Sequence, residues 1–488
     1  MEESASNGSM EHTEQFHLHS RRRRVRYLKN PYAWYDPFAA RGIPGEDLLS
    51  DVEVFFVLTL VVSGFNFLEF PRAYSISGIS SGLFITIAVT IITIHCNYLW
   101  VKCTHEIYYR VKVPQLTYGE TITLAFNSEN VLLRKFTLVL VFFVNISLLI
   151  TYFAICSVYL NEASYSIHEI MVFMDLTKYD TKIAISDLII SVVVIAVGFL
   201  PNWKKISRVS MLGCFAGIAV YVYFLCHVCL KETQYKVNAK ISISTDTTYF
   251  SILVIKSLFS IGITQPMENM MEHPYHLIKG FCFTGINSMS LTLVSLINTI
   301  FGIVAYDKFG EEACRMLLEE ELLVRDWTFH LFHMLKAVAI MGAFPVPFYI
   351  AYDMMWRRAH EKFLRCPRQG VIATRVSLTL IILFSFIFTS RAHEKYFIIV
   401  VYLCATFIGI IIPAVLEIVI YWQKPSQIPY FQTSATSLHS ESELPKDFHK
   451  IHKLRMLLKN GLIIILALGA MIAASDGFGG VTLGGKKC

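Results

Sequence analysis

Eleven long apolar segments constrain this chain more than any other feature. A helix needs roughly 17 to 25 residues to cross a bilayer. Segments of that order lie at 53–73, 80–103, 136–160, 183–201, 209–230, 249–267, 281–306, 329–352, 374–391, 396–422 and 459–476. A helix satisfies its backbone internally, as lipid demands, so the expected fold is an all-α polytopic membrane protein with about 11 transmembrane helices. The 54% hydrophobic and 16% charged residues, with a mean hydropathy of +0.51, exclude an ordinary soluble domain. The net charge of +6 does not indicate a nucleic-acid partner, because the cations gather at segment ends and in certain loops rather than along one stripe.

The basic residues also set an orientation. Residues 1–51 form a polar tail with the run Arg21-Arg22-Arg23-Arg24-Val25-Arg26. No apolar core or cleavage site follows that run directly, so it reads as a disordered cytoplasmic tail attracted to anionic membrane lipids. With the tail inside, the even loops carry Arg134 and Lys135, Lys204, Lys205 and Arg208, and then Arg357, Arg358, Lys362, Arg365 and Arg368. The outer loop 307–328 is acidic, with Glu311, Glu312, Glu319, Glu320, Glu321 and Asp326. That asymmetry predicts an inside amino terminus and an outside carboxyl terminus for residues 477–488, with the transmembrane domain at 52–476 between them. The N-x-S/T triplets at Asn7 and Asn145 then fall inside and within a span, where neither is glycosylated.

One stretch breaks the apolar pattern: Ser63-Gly64-Phe65-Asn66-Phe67-Leu68-Glu69-Phe70-Pro71. Glycine lowers helix propensity and proline removes a backbone donor, so the first helix is expected to unwind here and present backbone groups to a solute. Further along, Lys102-Cys103-Thr104-His105 and Pro114 to Glu120 follow the second segment, and Cys156-Ser157-Val158-Tyr159 ends the third. Pro266-Met267-Glu268-Asn269-Met270-Met271-Glu272-His273-Pro274 closes the sixth, and Gly302 to Glu311 the seventh. Together and in this order, from about residue 50 to the end, these motifs resemble the amino acid/auxin permease family, in particular its proton-assisted amino acid transporter branch.

The resemblance implies a 5+5 inverted-repeat fold with broken first and sixth helices, and a solute held between the breaks. There, half-helix amides meet a carboxylate and free carbonyls meet an ammonium or cation. It also implies a secondary transporter of small neutral amino acids or related amines, working by alternating access in the plasma or an endolysosomal membrane. The departures are instructive. Asn66 and Glu69 stand where the family has glycines, and Leu258-Phe259-Ser260 replaces its Phe-Glu-Gly break. Val57 replaces a histidine of proton-coupled members, which argues against protons as the coupled partner. These altered breaks motivate a second reading, an amino-acid sensor that retains the fold with little transport.

The expected solute-binding residues are Ser63, Gly64, Asn66, Glu69, Tyr152, Tyr159, Lys256, Phe259 and Ser260, with Glu268 and Asn269 as an inner gate. Glu69 and Lys256 are charges inside apolar segments, each costing roughly 2.5–3.5 kcal/mol on insertion scales; either they face each other across the pocket or share a water-filled cavity, or Glu69 sits at the outer interface and Lys256 snorkels. Tyr152 and Tyr159, seven apart, share one helix face. Weaker candidates are Asn145 and Asn298, the histidines His95, His330 and His333, and a kink at Phe344-Pro345-Val346-Pro347. The pair Cys226 and Cys229 lacks a second pair for a metal site. The glycine-rich Gly477 to Gly485 links no strand to a helix, so no nucleotide, cofactor or enzymatic chemistry is expected.

Overall fold

The computed structural model describes residues 37–38, 41, 48–126, 131–174, 189–190, 192–193, 196–230, 247–278, 284–310, 327–364, 366–389, 394–423 and 446–480. Among these, ten helices are long and apolar enough to cross a membrane. About half of the expected fourth segment, 183–201, falls outside the described residues, as do the arginine run and most of the acidic loop. The protein is an all-α polytopic membrane protein. Phe84, Phe142, Phe143, Phe384 and Ile465 are exposed on its perimeter, as lipid-facing side chains require.

Numbered by the eleven expected segments, the first span consists of α1 (Asp51–Ser63) and α2 (Phe70–Ser77), separated by a 3-10 turn at Asn66–Glu69. The second is α3 (Ile79–Val111), followed by the short α4 (Tyr118–Ala125). The third is α5 (Val131–Phe173) and the fifth α6 (Trp203–Leu230). The sixth is split again, into α7 (Thr248–Ser257) and α8 (Ile261–Met270). The seventh is α9 (Ile286–Phe309), and α10 (Trp327–Ala343) and α11 (Pro345–Ala359) make the eighth. The ninth is α12 (Pro367–Thr389). The tenth comprises α13 (Glu394–Thr406) and α14 (Ile412–Gln423), joined through a π turn at Phe407–Ile411, and the eleventh is α15 (Lys446–Gly480).

The first interruption follows from local sequence. Gly64 caps α1 at φ 52° and Phe65 continues at φ 83°, a left-handed pair from which no α-helix propagates. Pro71 sits in the first turn of α2, where its missing N–H costs nothing. In the eighth span Pro345 and Pro347 supply no amide to the preceding turn, and the helix is interrupted at Phe344 as expected from the sequence.

Among the described residues the bundle is held by three apolar cores, the smallest around Ile252, Tyr402 and Ile463. One packs α1, α3, α5, α8 and α11 together around Trp100, Tyr108, Tyr152 and Phe344. Another surrounds α2 with rings, Phe67 lying 4.9 Å from Phe301 and Tyr74 4.9 Å from Phe250. Polar ties cross between helices as well. Glu417 of α14 meets Lys459 at 2.6 Å and Asn460 at 2.8 Å, both on α15, and Lys102 of α3 at 3.6 Å.

Helices α6 and α10 approach backbone to backbone at Gly213 and Gly342, where Ser210 Oγ donates to the Gly342 carbonyl at 2.8 Å. A Cβ on Gly342 would lie 2.7 Å from Gly213 Cα, and that neighbour is main chain that no rotamer change can move aside. Gly342→Val is therefore expected to force the helices apart at a cost of about 1–3 kcal/mol. The check is a lower thermal transition in detergent, read by size-exclusion after heating.

Candidate solute site between two broken helices

At the tail end of the bundle, where Arg41 and Leu49 lie, the chain entering α1 is joined to the chain leaving α8. Leu49 N donates to Met270 O at 2.9 Å and Glu272 N to Leu49 O at 3.0 Å, a parallel bridge centred on Met271. Helices α1 and α8 thus run from one end to the breaks, and α2 and α7 continue beyond them. The breaks at Gly64–Glu69 and Leu258–Ser260 lie at one depth, because Lys256 Nζ donates to Glu69 Oε1 at 2.7 Å. The pair expected from sequence is formed. Its side chains are 27% and 45% exposed, so water reaches it and it is not a dry ion pair.

Near each break the helix ladder leaves a carbonyl open, at Val61 where α1 ends and at Gly262 four residues before Pro266, and one face of α5 answers both. Tyr159 Oη donates to Val61 O at 2.9 Å, and Tyr152 Oη donates to Gly262 O at 2.6 Å. The seven-residue spacing places the two hydroxyls on the two interrupted helices. Asn66 Nδ2 donates to Ser63 O at 3.1 Å, while Ser63 Oγ donates back to Leu60 O. A Cβ on Gly64, between them, would press on the Asn66 amide at 3.2 Å, and the positive φ there disfavours any other residue.

On the sixth span, Ser260 O accepts from Ile263 N and Thr264 N, and Ser260 Oγ donates to Asn97 Oδ1 of α3 at 3.0 Å. Thr264 Oγ1 donates to Ser260 O at 3.0 Å and lies 3.4 Å from Asn287 Oδ1 of α9. Phe259, Ser260, Leu258, Asn97, Thr93 and Gly409 line a cavity with about 10 Å³ of room, the size of a single water. The π turn of the tenth span forms its opposite wall, in keeping with the frequent placement of such turns at functional sites.

The two polar residues expected at the gate are drawn into a network at the tail end. Glu268 is 1% exposed, and its carboxylate accepts from Arg41 Nη2 at 2.9 Å and Tyr108 Oη at 2.8 Å. His105 Nε2 lies 3.0 Å away. Arg41 also donates to Glu268 O at 2.7 Å and Pro114 O at 2.6 Å, with its guanidinium over the rings of Phe38 and Tyr108. Asn269 Nδ2 donates to Leu116 O, and Gln265 links Trp100, Tyr108 and the same carbonyl.

Sequence reasoning located the breaks, the Glu69–Lys256 pair and Glu268, but missed Arg41, Asn97, Gln265 and a second ion pair between Glu162 and Lys336. Asn145 of the weaker candidates packs against Gly119, a structural contact between α4 and α5. Asn298 is 1% exposed, and neither of its side-chain polar atoms has a hydrogen-bond partner among the described residues. The described residues contain no cluster of three or more His, Cys, Asp and Glu side chains suited to a metal.

A bundle of membrane-length helices, two of them unwound at one depth and closed together at one end, is the framework of a multi-pass solute transporter. Residues 49–475 match the family described as "Transmembrane amino acid transporter protein", and the chain belongs to that family. It is also similar to "Proton-coupled amino acid transporter-like protein pathetic" of Drosophila melanogaster, at 26% identity over 395 residues, 80% of this chain and 81% of the relative.

The Arg41–Glu268 contact gives a direct test of the closed end. Removing one partner of a buried ion pair leaves the other uncompensated at a cost of about 3–5 kcal/mol. Arg41→Ala is expected to speed thiol labelling of a cysteine placed at Gln115 by at least about tenfold, a shift that needs only ~1.4 kcal/mol of this. Labelling at the wild-type rate would show that Arg41 does not hold this end shut.

Proposed function

We propose that this protein is a secondary transporter that carries small neutral amino acids, or related amines, across its membrane by alternating access. The observation that carries the reading is the pairing of two helix breaks at one depth, bridged by Glu69 and Lys256 and served by Tyr152 and Tyr159. An amino acid presents a carboxylate and an ammonium, and half-helix ends offer amides to the first and carbonyls to the second. The solute binds among Ser63, Gly64, Asn66, Phe259 and Ser260. Glu69 and Lys256 screen its charges, and Asn298 of α9 is left with hydrogen-bonding capacity to offer. The two breaks, in the first and sixth spans, suit the five-plus-five inverted repeat.

By the distribution of basic residues, the tail end faces the cytoplasm. Glu268 and Asn269, held by Arg41, Tyr108 and Leu116, then form the inner gate, and they separate when the solute leaves inward. The partners are an amino acid, the surrounding lipid and a coupling ion, in a plasma or endolysosomal membrane. A sensor that binds without much flux is the second reading. It is motivated by the altered breaks, where Asn66, Glu69 and Phe259 fill positions expected to be open to a solute backbone.

Uptake of labelled neutral amino acids into proteoliposomes separates the two. Transport predicts saturable flux that falls at least about tenfold in Glu69→Gln and Ser63→Ala, equivalent to ~1.4 kcal/mol of lost stabilisation. Saturable binding with no flux or exchange would select the sensor and defeat the transport reading.

A further inference from the structure

Helix α15 is the least buried of the ten membrane-length helices, and Leu454, Leu458, Leu462 and Ile465 stand exposed along it. In a bilayer, lipid covers that stripe. The lower part of α15 is tied to the bundle by the knot around Glu417 of α14. Two ammoniums reach that carboxylate from flanking helices, Lys459 of α15 at 2.6 Å and Lys102 of α3 at 3.6 Å. Glu417 is 7% exposed in its side chain, whereas Lys102 is 22% and Lys459 38% exposed. The knot therefore turns its amines to the surface and keeps its acid beneath them.

More positive charge surrounds it. Lys453 Nζ lies 5.7 Å over the ring of Trp422, a half-exposed residue at the end of α14, and Arg455 is exposed one turn before Lys459. Arg110 of α3 donates to Glu106 at 2.9 Å and to Ile420 O at 3.1 Å. The ring of Tyr421 carries the Lys102 ammonium at 4.7 Å and the Arg110 guanidinium at 6.0 Å. The carboxylates paired with these cations, Glu417 and Glu106, are both buried, so the patch is positive where it meets its surroundings. Arg110 is two residues from Tyr108, the ligand of Glu268, which places the patch at the tail end of the bundle.

We propose that the groove over α14, between Lys102 of α3 and Lys459 of α15, binds the headgroup of an anionic membrane phospholipid. Two ammoniums on one carboxylate leave a positive charge in excess, and a phosphate oxygen supplies the missing counter-charge. The acyl chains then lie along Leu454, Leu458 and Leu462, continuous with the headgroup site. A zwitterionic headgroup brings a cation of its own, which Lys453 and Arg455 repel, whereas an anionic one adds a second attraction to them. Trp422 stands at the same level, the position that interfacial aromatic rings take among headgroups. Seated there, the lipid fastens α15 to α3 across α14, where the protein's own contacts are sparse. The proposal uses the placement of the chain in a membrane and not the transport reading, so either can fail without the other.

The test is lipid competition beside the site. Full-length protein carrying a fluorophore on Leu458→Cys, with no other accessible cysteine, is reconstituted into vesicles of phosphatidylcholine and phosphatidylserine, and each lipid in turn is brominated to quench the probe. Phosphatidylserine should displace phosphatidylcholine at this position with at least about fivefold preference, the factor that one cation near a membrane surface supplies. Lys459→Gln should lower the preference below about twofold. Lys453→Gln combined with Arg455→Gln spares the Glu417 knot, should lower the preference likewise, and serves as the test if Lys459→Gln does not insert. Lys205→Gln, which removes an exposed cation of the same end on α6, should leave the preference intact. Equal quenching by the two lipids in the unsubstituted patch, or a preference that both patch variants retain, would overturn the proposal. A preference lowered as much by Lys205→Gln would show a general surface potential in place of a site and overturn it too. Loss of the preference in millimolar inorganic phosphate would assign the groove to the free anion and defeat the lipid assignment.

Discussion

Every backbone donor and acceptor inside a bilayer must find a partner in the protein, and the two interrupted helices violate that demand within one small volume. What surrounds them is arranged around the violation. Two tyrosines on one face of α5 reach a carbonyl on each interrupted helix, Asn66 returns a bond to the end of α1, and Ser260 ties the start of α8 to Asn97. The breaks are therefore held in a defined shape before any solute is present. A carbonyl served by a side-chain hydroxyl can exchange that partner for a solute, whereas one in a helix ladder cannot, and this makes an unwound helix useful in a membrane.

Charge is handled by the same logic at three levels. Glu69 and Lys256 sit where water enters and bridge the breaks. Glu162 and Lys336 lie at the edge of water, one half wet and the other dry. Arg41 and Glu268 are both sealed, closing the tail end over a network of Tyr108, His105, Gln265 and Asn269. A buried pair of that last kind is costly to separate, as the proposed inner gate requires.

Much of this was legible in the sequence, for identifiable reasons. Gly64 and Pro71 bracket an interruption because no apolar helix needs both, and Glu69 and Lys256 stand out as charges in hydrocarbon-length segments. The tyrosine pair was visible in its spacing, though not in its targets. Arg41 was hidden because its partner lies 227 residues away, and nothing local distinguishes it from other basic tail residues. Glu162 was hidden by a boundary. The third segment was expected to end at 160, whereas α5 runs to Phe173 because its outer turns pack on neighbouring helices and need no further apolar run. Lys336 lay inside the expected eighth segment, but without Glu162 it had no visible counter-ion.

The central claim is that the two breaks form one site that opens to alternate faces of the membrane. A cysteine at Phe259 tests it most directly, in a chain whose exposed Cys226, Cys229 and Cys366, and Cys282, Cys314 and Cys488 outside the described residues, are replaced, labelled with a membrane-impermeant thiol reagent applied to each face in turn. The account predicts labelling from the face opposite the tail, protection by a neutral amino acid, and labelling from the tail face once Arg41→Ala releases the closed end. A cysteine reached from neither face, or one whose labelling ignores both the solute and Arg41, would contradict it.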